Sequence, residues 1–321
     1  MATVTITDDG ATIKLVIDSI TYSIPKPFIV AVSGTVVTIK QEESRWVFEF
    51  ADVTSPVTAS ANALRALLEA YLDADPQSYQ YSVALGRVSG ATTWNKWGYN
   101  SDLDIGTEVI WASGGSFTRL DTASTFTVVS SSAQDTLTSG TGAWNVVIYY
   151  VDSTRTAATV VVPLNGLTPV VTSITGLGIN RVALYNTGSG DTNAGIITVT
   201  ATTGGSVQAT VPLGEGSTQQ CLFFTQTGHT ALLDWMTINV AKLAGGTAPK
   251  VTIKAWVYSY VSTAKYLVFR KTIDAGVENN IELRPSQPFV VGEKSIFWLE
   301  ATTDTDNTVV SARFSLIEVN T

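Results

Sequence analysis

The sequence predicts an all-β protein: jelly-roll or β-sandwich domains, one or two of them, behind a small N-terminal β-meander plus helix module. Thr, Val, Ser and Gly dominate together with aromatic residues, and β-branched and aromatic side chains fit a pleated, half-buried surface better than a helix. Apolar and polar positions alternate through much of the chain, with turn residues breaking the runs roughly every 8–14 residues. With 45% hydrophobic and 14% charged residues over 321 positions, there is core enough for one large domain or two to three small ones, and disorder is excluded for most of the chain.

Residues 1–75 read as a separable anchoring module. Strands are expected at 3–7, 12–17, 28–33, 35–39 and 46–50, with Asp9-Gly10 as a hairpin signal between the first two. Met1–Asp9 alternates like a strand and lacks the charged start and continuous apolar core of a secretory signal. Ser55 as N-cap and Pro56 in the first turn then open a helix, in which Leu64, Leu67, Leu68, Tyr71 and Leu72 recur at helical spacing and are expected to lie on the meander.

Residues 76–124 read as an aromatic-rich connecting segment opened by Asp75-Pro76. Trp94, Trp97, Tyr99 and Trp111 stand there among polar residues and need covering, by packing within the chain at a domain boundary, by a stacked glycan or by another subunit.

Residues 125–321 carry the sustained strand-and-turn pattern of a jelly-roll or β-sandwich region. Strands are expected at 125–130, 144–152, 159–163, 181–186, 195–201, 206–212, 219–225, 233–242, 250–260, 266–272, 280–283, 295–302 and 309–320. That is more than the eight of one jelly roll, so either two sandwiches or one with a substantial extension is expected. Within 250–260, Val251, Ile253, Ala255 and Val257 share one face, and Lys254, Trp256, Tyr258 and Tyr260 share the other, an aromatic face that needs a second sheet or a second subunit.

Chemistry is sparse. A single histidine and a single cysteine remove disulfide frameworks, His/Cys zinc sites and most His-assisted nucleophiles. The best material for catalysis is carboxylate: Asp102, Asp104 and Glu108 in one stretch, Glu300, Asp304 and Asp306 in another. Paired carboxylates can hydrolyse glycosides, and Asp-x-Asp suits a hard cation, but neither run has the full calcium-loop spacing, and both read as solvated turn carboxylates. His229 reads as a polar turn residue and Cys221 as a small buried hydrophobe. No phosphate-cradling glycine loop stands between a strand and a helix. No catalytic, cofactor-binding or metal-ligating residue is therefore assigned, no cofactor is expected, and the chain is not expected to be an enzyme. The net charge of −8 leaves no basic excess for nucleic acid, and no run approaches the roughly 18 apolar residues of a membrane span.

Two stretches carry a resemblance. Residues 50–68, Phe50-Ala51-Asp52-Val53-Thr54-Ser55-Pro56 through Leu68, with Tyr22-Ser23-Ile24-Pro25-Lys26 before them, resemble the amino-terminal module of structural proteins in phages of Bacteroidetes hosts. Val128–Thr136, Gly140–Tyr149, Leu164–Val170 and Gly188–Gly195 are similar to a β-rich capsid-associated protein of environmental phages, departing from its pattern at Trp144, where a basic residue is expected. The resemblance implies a virion structural protein: a head fibre or decoration protein, with a double jelly-roll major capsid protein of a tail-less phage and a glycan-binding tail or receptor-binding protein as alternatives. It implies a homo-oligomer, expected to be a trimer, with other capsid proteins as partners, a host surface glycan as a further candidate, and synthesis in the bacterial cytoplasm.

Overall fold

The computed structural model describes six strands within residues 4–49, then residues 76–242, 248–285 and 287–321. The helix expected from Ser55 to Leu72, the junction at 73–75 and the Asp9-Gly10 turn lie outside the described residues. The chain divides into two units, Met1–Arg87 and Val88–Thr321. Among the described residues one helix stands against twenty-three strands, so the all-β class holds. No helix there is long and apolar enough to cross a membrane.

The first unit contains two meanders where the sequence suggested one. Strands β1 (Val4–Asp8), β2 (Thr12–Ile17) and β3 (Ile20–Pro25) form one antiparallel sheet; β4 (Ile29–Ser33), β5 (Val36–Gln41) and β6 (Ser44–Glu49) form the other. In the first, register sets Ile6 opposite Leu15 and Leu15 opposite Tyr22. Pro76, expected to open a linker, instead opens helix α1 (Pro76–Ala84), where a first-turn proline gives up no hydrogen bond.

The expected connector at 76–124 is corrected further on. Residues 91–103 and 106–109 are strands of the second unit, β7 (Ala91–Leu103) and β8 (Gly106–Val109). β7 escaped the alternation test because its polar and aromatic residues mask the period, and its partner lies more than two hundred positions away in sequence.

The second unit holds two cores, each between a pair of sheets. Strands β9 (Phe126–Ser130), β10 (Ala143–Asp152), β11 (Ala157–Pro163), β12 (Val170–Val171), β13 (Gly176–Thr187), β14 (Ile197–Ala201) and β15 (Val207–Val211) make the sheets β11-β10-β13 and β12-β9-β14-β15. Buried and half-buried residues alternate strictly along β9 and β14, and their inward side chains, Phe126, Val128, Ile197 and Val199, meet Ile148 and Val182 of the facing sheet. The remaining strands are β16 (Leu222–Thr225), β17 (His229–Lys242), β18 (Lys250–Ser259), β19 (Ala264–Asp274), β20 (Asn280–Leu283), β21 (Phe289–Val291), β22 (Ser295–Thr303) and β23 (Thr308–Asn320). They make the sheets β7-β23-β17-β20, with β21 also on β17, and β19-β18-β22-β16, with β8 also on β22. Here Phe297 and Phe314 meet edge to face at 5.0 Å between the sheets. Among the described residues the strands make six small sheets, two in the first unit and four in the second, and the pairing of those four about two cores makes the second unit a double sandwich.

One sandwich is inserted into a strand of the other. β8 pairs with Glu300–Thr303 of β22 and β16 with Ser295–Trp298, both antiparallel, so they run in line along the same neighbour. Leu299 bridges the gap: its carbonyl accepts from Ile110 N at 3.0 Å and its N–H donates to Cys221 O at 3.1 Å. Cys221 N in turn donates to Ile110 O at 3.0 Å, and Trp111 pairs with Gln220. β8 and β16 are thus two halves of one strand, and the first sandwich leaves and returns through the break.

Phe224, in β16, sends its ring into the inserted sandwich's core. Asn180 of β13 clamps it by both backbone groups: Phe224 N donates to Oδ1 at 2.7 Å, and Nδ2 donates to Phe224 O at 3.0 Å. Gly178 leaves the room, since a Cβ there would lie 2.2 Å from the Phe224 ring. At the opposite end of the inserted sandwich the buried Asp135 carboxylate ties three loops, accepting from Ser130 Oγ (2.5 Å), Ala143 N (2.7 Å), Ala194 N (2.8 Å) and Gly195 N (3.0 Å). Gly178→Ala is expected to destabilise the protein by about 1–3 kcal/mol, the usual range for overpacking, and to split the calorimetric unfolding of residues 88–321 into two transitions as the sandwiches uncouple; a single transition at the wild-type temperature would count against the joint.

Candidate functional site

Pairing of β7 with β23 (Leu103 opposite Thr308) and of β8 with β22 (Gly106 opposite Thr303) sets the 104–105 and 304–307 turns side by side. This joins parts of the two acidic stretches: Asp102, Asp104 and Asp306 each bring a carboxylate oxygen within 4.8 Å of the others, all exposed. The Asp104 carboxyl is held above its ordinary value, chiefly by the charge of Glu108, then by desolvation and by Asp306 and Asp102. Such a cluster has the oxygen ligands a hard cation takes, on turns open to water.

Glu108, adjacent to the triad, and Glu300 line a cleft of ≈ 410 Å³ with Arg119 and Lys265. Glu108 is anchored: Oε2 accepts from Asn100 Nδ2 at 2.8 Å and Gly115 N at 2.7 Å, and Oε1 from Asp104 N at 3.3 Å. Glu300 accepts from Trp298 Nε1 at 2.8 Å and faces Lys265 at 3.6 Å, whose ammonium lies over the rings of Trp256 and Trp298. Both carboxylates are held as hydrogen-bond acceptors, which is an arrangement for fixing loops and side chains.

The aromatic residues divide. Trp111 is buried against Phe117, its indole N–H on Gly114 O at 2.8 Å. Trp94 packs on Phe223 and Tyr149 and donates to Glu318 at 3.3 Å, while burial pushes the Glu318 carboxyl up. Trp97 remains 44% exposed and stacks on Tyr99 at 6.4 Å. The aromatic face of β18 is covered from within the unit: Arg119 lies 4.0 Å over Tyr258, Arg155 lies 3.4 Å over Tyr260, and Tyr260 donates to Leu120 O at 3.1 Å. Trp144 donates to Gly140 O at 2.7 Å.

His229 Nδ1 sits 2.9 Å from Thr227 O. Cys221 is fully buried, its thiol on Ala312 O at 3.3 Å and pushed up to about 12 by burial. Beside it lies Lys96, which the sequence reading missed. Its signal was there: Trp94, Lys96, Gly98 and Asn100 occupy the inward phase of β7. The Lys96 ammonium donates to Asn180 O, and burial pulls it down from 10.5 to about 7, against a small upward pull from Cys221 and with a further lowering by Arg181.

No protein-family model and no curated protein matches the chain. Among solved structures it is similar to that of infectious bursal disease virus Gt strain, at 13% identity over 72% of this chain and 73% of that one, with a TM-score of 0.17. It is likewise similar to the VP2 subviral particle of infectious bursal disease virus, at 12% identity over 73% and 72%, with a TM-score of 0.18. Scores of this size leave the fold to be argued from the strands themselves.

With 10.5 in the unfolded chain and about 7 in the fold, Lys96 makes the unfolded state the better proton binder between those limits, so stability rises with pH through that window, and the whole cost of a buried ammonium is felt below it. Cys221 acts oppositely between 9.0 and about 12. Urea unfolding is expected to show stability climbing from pH 7 to about 9, a climb that Lys96→Met flattens; an unchanged slope in the variant would refute the assignment.

Proposed function

We propose that this chain is a structural protein of a phage virion, a capsid component acting by protein–protein assembly as a head fibre, decoration or capsid-associated protein, without catalytic turnover. The observation that carries the reading is the strand order of the host sandwich. With β8 and β16 counted as one interrupted strand, and β20 and β21, both on β17, as another, eight positions remain. Numbered along the chain, one sheet runs first, eighth, third, sixth, and the other runs second, seventh, fourth, fifth. That is jelly-roll connectivity, which recurs in viral capsid and lectin domains.

Assembly is favoured by what the inserted sandwich leaves uncovered. Leu167, Val171, Tyr185 and Leu213 are each more than 60% exposed, an apolar surface that suits contacts with other copies or other capsid proteins. The sequence resemblance to phage capsid-associated proteins points the same way. Closed three-fold symmetry suits a capsid position, and a reduced, buried Cys221 suits synthesis in a bacterial cytoplasm.

Native mass measurement at micromolar concentration is expected to give a homotrimer, weakened by a Val171→Glu and Leu213→Glu double substitution, and virion micrographs are expected to show the protein repeating over the capsid. A monomer at that concentration, with no density on the capsid, would sink the reading, as would release of reducing ends from host polysaccharide that an Asp102→Asn, Asp104→Asn double variant abolishes.

A further inference from the structure

A second cleft, of ≈ 420 Å³, lies between the two sandwiches of the second unit. Six consecutive residues of β7, 92–97, form one wall. Side chains alternate between the faces of a strand, so a cavity touched by consecutive residues runs along the strand's edge. Among the described residues β7 closes its sheet, paired with β23 alone. The hydrogen bond from Asn320 N to Gly90 O at 2.8 Å sets the ladder: with Ala91 opposite Val319, even-numbered residues of this stretch bond to β23. Thr93, Asn95 and Trp97 therefore turn their backbone N–H and C=O groups toward the cleft.

The opposite wall comes from the inserted sandwich: Tyr149, with Arg181 directly across from it in register, and Ser217 and Thr218. Its charge is one-sided. Arg181 Nε donates to Ser217 Oγ at 3.3 Å and Lys96 to a backbone carbonyl, and among the described residues neither forms an ion pair. No Asp or Glu lines the cleft, in a chain whose net charge is −8. Arg181 and a lysine that titrates at about 7 face each other with no carboxylate in the lining, between hydroxyl groups and aromatic rings, and are complementary to an anion that also carries hydroxyls and an apolar face.

We propose that this cleft binds an acidic sugar, a carboxylated pyranose of a surface glycan, with its carboxylate on Arg181 backed by Lys96, its hydroxyls on the free edge of β7 and on Ser217 and Thr218, and its ring against Trp97. The volume falls in the range of small-ligand clefts. An added peptide strand would use the same edge but needs apolar pockets for alternate side chains, and the walls offer hydroxyls and cations instead. Bound carboxylate would favour the charged form of Lys96, so binding near pH 7 takes up a proton. The inference stands apart from the assembly reading, since a capsid protein can assemble with or without it.

The test is calorimetric titration of the full chain at pH 7 with methyl glucuronide, the methyl glycoside of N-acetylneuraminic acid, neutral methyl glucoside, and a blocked peptide of alternating glutamate and valine. At least one acidic sugar is expected to saturate below roughly 10 mM, about ten-fold or more tighter than methyl glucoside, with a heat that changes between buffers of different ionisation enthalpy. Arg181→Gln, at an exposed position, is expected to weaken it about ten-fold or more while melting like the wild type. Should that variant fold poorly, Ser217→Ala serves as the second probe of the same wall. The proposal fails if neither acidic sugar binds, if methyl glucoside binds as well, if only the peptide binds, or if binding survives unchanged in folded variants.

Discussion

Leu299 spends both its backbone groups on holding open a break: its carbonyl receives the chain as it leaves the host sandwich at Ile110, and its N–H reaches the chain as it returns at Cys221. Much of the second unit follows from keeping those two points together. β7 must pass close behind them, and it does so at Gly98, where a Cβ would stand 2.3 Å from Ile110 O and 2.7 Å from Cys221 N. Cys221 is sealed at the same place, within the host core, with its thiol on the Ala312 carbonyl. Three residues after the return, Phe224 enters the inserted core, and the Asn180 clamp that holds it also receives Lys96. Break, glycine passage, buried thiol and clamp form one mechanical unit.

Charge is distributed around this unit with a clear polarity. The acidic turns, with Asp102, Asp104 and Asp306, gather where β7 ends and β8 begins, while Lys96 and Arg181 face the cleft along the middle of β7. A chain that is acidic overall thus presents one recess in which the sign is reversed. The carboxylates of Glu108 and Glu300 are held by N–H donors and, for Glu300, by Lys265.

How far this was legible in the sequence depends on the distance over which a signal had to act. β18 and β14 could be read because period-two alternation is written into each strand and turn residues bound it; Val251, Ile253, Ala255 and Val257 are all buried as the pattern requires. β7 could not, because its inward face is Trp94, Lys96, Gly98 and Asn100, a set that makes sense only beside Cys221 and the inserted sandwich. The broken strand was hidden for the same reason: Gly106–Val109 is too short to register alone, and its continuation begins only at Leu222. The acidic site was half visible. Asp102 and Asp104 were read as a pair and Asp306 as part of a different group, and only the antiparallel register of two strand pairs brings them together, while leaving Glu300 in another cleft.

The break in the strand also divides the chain of the second unit into a host and an insert. Because the chain departs and returns on neighbouring rungs of the same ladder, whatever lies between Trp111 and Gln220 closes a loop whose ends are already fixed by the host sheet. Closure entropy grows only slowly with loop length, so the length of that segment costs the host little, while its near end is constrained by Phe224 and Ile296, whose side chains the inserted core must cover. Joining Val109 to Leu222 through a single extended residue opposite Leu299 would give a continuous host strand, since Val109 pairs with Glu300 and Leu222 with Trp298. The host sandwich is in this sense a socket, and Phe224 is the pin that fixes what it holds.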